Sequence, residues 1–274
     1  MTIFYTVEMQ GGLANRLRTL WAAKAFAIKQ QKTVVLIWPI LPELGCCWRS
    51  LFTLNTPSKV LTIRQSSRLH RKFLSLCRHT FSTFGLGLNR ATHPGIPWEQ
   101  PPRFGDAKFI PFQWIQTCGE FEETINIDPP FKPNPNLSKR ATRRIATIRE
   151  KHDSLIGVHI RRGDHVRSIA TSSLEHFKAA IKQQIDRSEG SGFLVCTDCE
   201  REATELRDIF GKRIFWHPPR LLDRSQPISI QDAMIDLVTL AQCDQLVGSY
   251  LSSFSIIAAK YGNIPLQIAG AANE

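Results

Sequence analysis

From residue 154 to residue 269 the chain alternates short apolar runs with longer segments of helical spacing, and this alternation narrows the fold more than any other feature. "SLIGVHI", "GFLVCT", "RIFWH", "QLVGS" and "IPLQIA" have strand length and few polar interruptions. Between them, "SSLEHFKAAIKQQIDRS" carries Leu174, Phe177, Ala180, Ile181 and Ile185 on one helical face. "CEREATELRDIFG" closes on a glycine, "ISIQDAMIDLVTLAQCD" turns Ala233, Ile235, Leu237, Val238 and Leu240 inward, and "SSFSIIAAKYG" adds another helix. Strands that are apolar on both faces need cover on both faces. Helical crossovers supply it, so the segment predicts a parallel sheet in a Rossmann-like domain.

The N-terminus opens in the same way, with strand "TIFYTVEM", a glycine turn, helix "ANRLRTLWAAKAFAIKQQ" and strand "TVVLIW". Regularity then lapses through residues 39–135, which are rich in proline and aromatics. "DPPFKPNPN" (128–136) reads as a linker, because its prolines exclude a helix or a central strand, and a basic helix over 137–151 follows. The expectation is an α/β protein of two Rossmann-like domains, 1–135 and 136–274, facing a cleft.

Charge narrows the partners. The formal net charge is +11, and the first 135 residues contribute +8 of it. No acidic residue occurs from Leu44 through Trp98, where Arg49, Lys59, Arg64, Arg68, Arg71, Lys72, Arg78 and Arg90 lie. Such a patch suits an anionic partner. Nucleic acid is not favoured, since aromatics do not interleave with the basic run as stacking platforms would. An anionic membrane surface is a further expectation for residues 64–84. Within them Leu69, Phe73, Leu76, Cys77, Phe81 and Phe84 fall at helical spacing among basic residues, although such a helix more often turns its apolar stripe to the core. No apolar run approaches the ~20 residues of a membrane span, and "MTIFYTVEMQGG" lacks the features of a signal peptide, so a cytoplasmic location is expected, peripheral at the inner membrane face if that helix binds lipid. The seven cysteines are irregularly spaced. The lone Cys196-x-x-Cys199 has no second pair for zinc, and inert thiols without a bound metal are expected.

Four stretches could carry chemistry. In "QGGLANRLRTL", Gly11 and Gly12 allow close backbone approach to a ligand at a helix N-terminus, with Asn15 and Arg16 displayed at the first turn; a plain tight turn explains the glycines equally well. In "HIRRGD", Arg161 and Arg162 follow an apolar strand. One aspartate, Asp164, cannot balance two arginines, so an external diphosphate is favoured over internal neutralisation. "VCTDCE" puts Thr197 and Asp198 at the next strand end, as helix caps or as a carboxylate for a ribose or base. In "AMIDLVTLAQCDQLVGSYLSSFS", Asp236 is either half-buried and paired or on a polar stripe. Ser249, Ser252 and Ser253 lie between strand and helix, where hydroxyls and amides cradle phosphate.

In that order the set resembles the fucosyltransferase superfamily, which includes rhizobial chitin-oligosaccharide α1,6-fucosyltransferases, the core α1,6-fucosyltransferase of N-glycans and the protein O-fucosyltransferases. The resemblance covers the first forty residues and nearly everything after residue 150. It implies a GT-B fold that transfers fucose from GDP-fucose to a glycan acceptor, with inversion and without a metal; GDP-fucose is a substrate and no cofactor is implied. The C-terminal domain would bind the donor, and the acceptor site would lie in the unmatched region 39–135. His159 and Asp236 would contact guanine, Arg161 would grip the β-phosphate with Arg162 beside it, and Asp198 would serve the nucleoside. Ser252 or Ser253 would bind phosphate, and Asn15 would face the sugar and β-phosphate. The core enzymes carry a lysine and a glutamate where this chain has His165 and Ile169. This leaves His165, Asp164 and Glu8 as candidate bases, beside proton loss to the departing phosphate. The alternatives are another GDP-sugar or nucleotide-sugar donor, a degenerate transferase that binds donor without turnover, or a non-catalytic basic protein that binds anions.

Overall fold

The computed structural model describes residues 4–66, 112–119, 126–163 and 166–271. They form two compact units. Unit 1 comprises Met1–Lys132 and Arg224–Pro227; unit 2 comprises Pro133–Asp223 and Ile228–Glu274. The domain boundary expected at residue 135 thus meets a unit that ends at Lys132 and recovers four residues from the second half of the chain. Gly45 accommodates that recovered segment. Its N–H donates to the Arg224 carbonyl at 2.8 Å, and a Cβ at this position would lie 1.7 Å from the Ser225 carbonyl oxygen.

Unit 1 is built on β1 (Phe4–Met9), α1 (Leu13–Gln30), β2 (Val34–Pro39), β3 (Phe52–Leu54), β4 (Leu61–Ser66) and β5 (Phe112–Thr117). Strands β4-β2-β1-β5 form one parallel sheet in that order. From Leu13 to Ala27, α1 is buried at every position but Asn15. Strands β4 and β5 lie in the region expected to be irregular. Both lie at the margins of the described sheet, and β4 alternates buried with half-buried and exposed residues, so neither has the continuous apolar run of a central strand. β6 (Phe131–Pro133) pairs with β3 and buries Phe131.

Unit 2 begins with α2 (Pro135–Arg149), which starts inside the stretch expected to be a linker. Pro135 takes the first helical position, where its missing N–H costs nothing, and Asn134 caps the helix by accepting from the Asn136 amide at 3.0 Å. There follow β7 (Ser154–Ile160), α3 (Val166–Thr171), α4 (Leu174–Arg187), β8 (Ser191–Thr197), α5 (Glu200–Phe210), β9 (Ile214–Trp216), α6 (Pro227–Leu240), β10 (Gln245–Gly248), α7 (Ser253–Gly262) and β11 (Leu266–Ile268). The short α3, with Val166 and Ile169 exposed, has no counterpart in the sequence reading. The sheet is wholly parallel in the order β11-β10-β7-β8-β9. Counted from β7 as the first strand this is 3-2-1-4-5, the Rossmann order, and its direction reverses between β7 and β10.

Alternation along β7 assigns the two faces. Ile156, Val158 and Ile160 pack with Phe177, Ile181, Phe193, Val195 and Leu206 from α4, β8 and α5. On the other face Gly157 leaves space for Leu240, Leu246 and Cys243, which would lie 2.9–3.3 Å from a Cβ there. His159 is on that second face, and the register sets it beside Cys196 of β8.

Candidate functional site

Ligands of open α/β sheets bind at the carboxyl ends of the strands, where the strand order reverses. In unit 2 that point lies between β7 and β10. The Ser249 hydroxyl, just after β10, accepts from the Arg161 amide at 2.8 Å and donates to the His159 carbonyl at 3.2 Å, which locks the two strand ends together. The His159 ring stacks on Phe254 with centroids 4.7 Å apart, and its Nδ1 lies 2.8 Å from the Ser255 hydroxyl and 3.4 Å from that of Ser252. Burial, and then the charge of Arg161, lower the His159 pKa to about 3, so the ring is neutral at physiological pH. Ser252 caps α7 by accepting from the Ser255 amide at 3.5 Å, and Ser253 begins the helix in a half-buried position. Leu251 takes a left-handed φ of 54° in the same loop, a conformation that costs a non-glycine residue roughly 1 kcal/mol.

The two arginines differ in their surroundings. Arg162 donates through Nε to Glu202 of α5 at 2.6 Å and through Nη1 to the Ser172 carbonyl at 2.9 Å, and it lies over the Phe177 ring. Its amide donates to Asp198 at 2.9 Å. Ser172 in turn receives the Tyr250 amide at 2.9 Å and donates to the Ala269 carbonyl at 2.6 Å. Arg162 therefore ties together the chain segments that follow β7, β8, α3 and β10. Arg162 is neutralised within the fold by Glu202, a counter-charge from α5 in addition to the single aspartate of the motif. Arg162 braces the fold, and so does Ser249, which is fully buried with its hydroxyl engaged on both sides. Arg161 is half-buried at the strand end.

Asp198 does not cap α5; Cys199 occupies that position. Asp236 on α6 is half-buried and paired, with Oδ1 2.6 Å from Arg144 Nη1 of α2 and a side chain 21% exposed. Burial raises its carboxyl to about pKa 6, and Arg144 opposes the rise. Burial, followed by the Asp236 carboxylate, pushes the Cys196 thiol well up, so Asp236 belongs to the same face as His159. Asp164 and His165 lie outside the described residues, as does the expected basic helix from residue 67 onward.

Unit 1 has its own sheet edge. Gly11 has φ +74°, and Gly12 leads into α1. Arg16, expected to be displayed, is fully buried. It donates through Nε to the Gly11 carbonyl at 2.9 Å and through Nη1 to the Pro39 carbonyl at 2.5 Å, and stacks over Trp38. Burial lowers its pKa to about 10, which still leaves it charged. Arg16 thus braces the glycine turn from beneath, while Asn15 is the half-buried residue of the first turn. Glu8 is buried and accepts from Gln10 at 3.2 Å.

No family model and no curated protein matches this sequence. Solved structures do. NodZ α-1,6-fucosyltransferase soaked with GDP-fucose, an enzyme of Bradyrhizobium, superposes over 95% of this chain and 93% of its own with TM-score 0.62 and 15% identity. POFUT1 in complex with GDP-fucose covers 98% of each chain with TM-score 0.61 and 14% identity. A variant of Arabidopsis thaliana FUT1 in complex with GDP matches 98% of this chain and 70% of its own with TM-score 0.65 and 15% identity. The chain has a fucosyltransferase-like fold. Its two Rossmann-like units are the GT-B-like architecture that the sequence led us to expect. Among the described residues, no helix is long and apolar enough to cross a membrane.

Within this fucosyltransferase-like fold, sequence reading missed Glu202, Ser172, Phe254, Ser255 and Arg144. "SSFS" signalled Ser255 only as a helix residue, and Glu202 resembled any first-turn acid. Their roles come from through-space proximity.

Proposed function

We propose that the protein is a glycosyltransferase that moves fucose from GDP-fucose to a glycan hydroxyl, with inversion and without a metal ion. The observation that carries this reading is the junction of β7 and β10. A neutral, stacked His159 and the half-buried Arg161 meet the hydroxyl loop at the switch point of a chain with the fold of fucosyltransferases, and solved relatives of that fold hold GDP or GDP-fucose. In this reading unit 2 takes the donor and unit 1 serves the acceptor. His159 and Asp236 read guanine, and Asp198 serves the nucleoside. Arg161 and the first-turn amides of α7, beside Ser252 and Ser253, take the diphosphate.

The mechanism follows from charge. Breaking the bond between fucose C1 and the β-phosphate oxygen leaves an oxocarbenium-like sugar and negative charge on the diphosphate. A guanidinium fork fixed at that position stabilises the developing charge without reorganisation, a role that a divalent cation fills elsewhere. The acceptor hydroxyl attacks the opposite face of C1 and inverts it. Its proton goes to Glu8, Asp164 or His165, or to the departing phosphate.

Calorimetric titration with GDP, UDP and ADP tests the base, and donor turnover with GDP-fucose against GDP-mannose tests the sugar. GDP is expected to bind most tightly and GDP-fucose to turn over, at an unchanged rate in excess EDTA. Equal affinity for all three nucleotides would refute the guanine reading, and a strict need for manganese would refute the charge argument.

A further inference from the structure

The reading that unit 2 binds a guanine nucleotide raises a further question. A carboxylate that reads guanine must be ionised, because it accepts from N1–H and N2–H together, whereas a protonated carboxyl presents a donor of its own. Asp236 is poorly placed to stay ionised. It sits on α6 against the sheet, with the Cys196 thiol before it on β8 and the Asp232 carboxylate one turn earlier on its own helix. Among the described residues, Arg144 is the cation within ion-pair distance of Asp236. The neighbouring charges are already engaged. Asp232 is held by Arg220 at 2.6 Å and by Arg140 of α2 at 3.5 Å. His217, after β9, is pushed down by burial and then by Arg144, and adds no positive charge at neutral pH.

We propose that Arg144 is a positioning residue for base recognition: by gripping Oδ1 of Asp236 at one point it keeps the carboxylate ionised and leaves Oδ2 and the second lone pair of Oδ1 to accept from guanine. A single-point grip suits this role better than a bidentate one, which would occupy both oxygens. The raised pKa of Asp236, about 6 even with Arg144 present, fits a group that would protonate near neutrality without it. The plain structural alternative is that Arg144 merely zips α2 to α6. Arg140–Asp232 and, farther along, Arg149–Asp244 at 2.7 Å make similar rungs. The exposed Arg149–Asp244 rung therefore serves as a control.

The test is calorimetric titration with GDP from about pH 5.5 to about pH 8.5, with 13C NMR titration of the Asp236 carboxyl in nucleotide-free protein. The wild type is compared with Arg144→Gln, Arg144→Lys and Arg149→Gln. The β-phosphate of GDP titrates in all four alike, so differences between them report on the protein. Arg144→Gln is expected to lose GDP affinity by a factor that approaches about tenfold for each unit by which the carboxyl midpoint rises at pH values below the wild-type midpoint, shrinks between the two midpoints, and largely disappears at the alkaline end. Arg144→Lys should restore most of the profile, and Arg149→Gln should match the wild type. Asp236→Asn should bind weakly with no protein-dependent pH profile, which keeps the proposal testable if Arg144→Gln does not fold. An equal loss at every pH, or an Asp236 midpoint unmoved by Arg144→Gln, overturns the proposal while leaving the nucleotide reading intact. Wild-type protein that binds no GDP at any pH, while its Asp236 midpoint still moves in the variant, overturns the nucleotide reading and the base-recognition role with it.

Discussion

The two parallel sheets present different chemistry at their carboxyl edges. In unit 2 the edge presents side chains: His159, Arg161, Asp198 and the serine loop, cross-braced by Arg162 through Glu202 and Ser172. In unit 1 the edge presents backbone. Gly11 turns the chain, and the charged group, Arg16, is buried beneath the turn and spent on the Gly11 and Pro39 carbonyls. An arginine after a glycine turn and an arginine after a strand look alike as sequence. Yet one supports the main chain and the other, Arg161, sits half-exposed at the switch point.

The sharpest way to break this comparison is Arg161→Ala. Transfer should fall by at least ~10²–10³, the usual cost of losing a donor aimed at developing charge, while stability changes much less. Donor turnover and thermal melting measured together check it, and retained activity would remove Arg161 from the site. Arg162→Ala should do the reverse in kind, lowering stability by roughly 3 kcal/mol because it strands the Glu202 carboxylate in a buried position. Urea unfolding reads this, and Arg162→Ala combined with Glu202→Ala should recover part of the loss.

In unit 1 the glycines should separate by about 1–2 kcal/mol. Gly11→Ala forces a side chain into a left-handed φ with Asn15 Nδ2 only 2.9 Å away, whereas Gly12 has nothing within 4 Å of an added Cβ. A Gly12→Ala variant of normal stability that keeps GDP binding but loses transfer would show that a substrate group fills that open space.

The smallest effect concerns acid stability. His159 has a folded pKa of about 3 against an ordinary 6.5, so the unfolded chain takes up its proton first and stability falls as pH drops from about 6.5 toward 3. Asp236 acts in the opposite direction. Its folded pKa of about 6 lies above the ordinary 3.8, so the native state takes the proton first and stability rises as pH falls through that window. Between about pH 6 and pH 4 the two contributions should nearly cancel. Asp236→Asn should steepen the loss of stability on acidification and His159→Gln should reverse it, by on the order of 1 kcal/mol per pH unit. Parallel denaturation curves for the two variants would rule this out.

Much of this could be read directly from the chain. Near-continuous apolar runs such as "SLIGVHI" announce buried parallel strands because the backbone pattern is local and covers several residues at once. β4 and β5 escaped because strands at a sheet margin need only one apolar face, and "LTIRQS" offers a mixed pattern. The start of α2 escaped because proline reads as a breaker until its place at the first helical position is known.

For the site, the sequence by itself determined that two arginines, a histidine, an aspartate and a cluster of serines fall at strand ends, with a second aspartate, Asp236, on the helix before β10, because those positions follow from the period of the elements. Only the tertiary structure decided which of them are engaged. Arg162 finds its counter-charge 40 residues away on α5, and Asp236 finds Arg144 at a separation of 92. Whether a charge is neutralised or left for a ligand depends on distances of 3–4 Å between groups that only folding brings together, and composition fixes none of those distances.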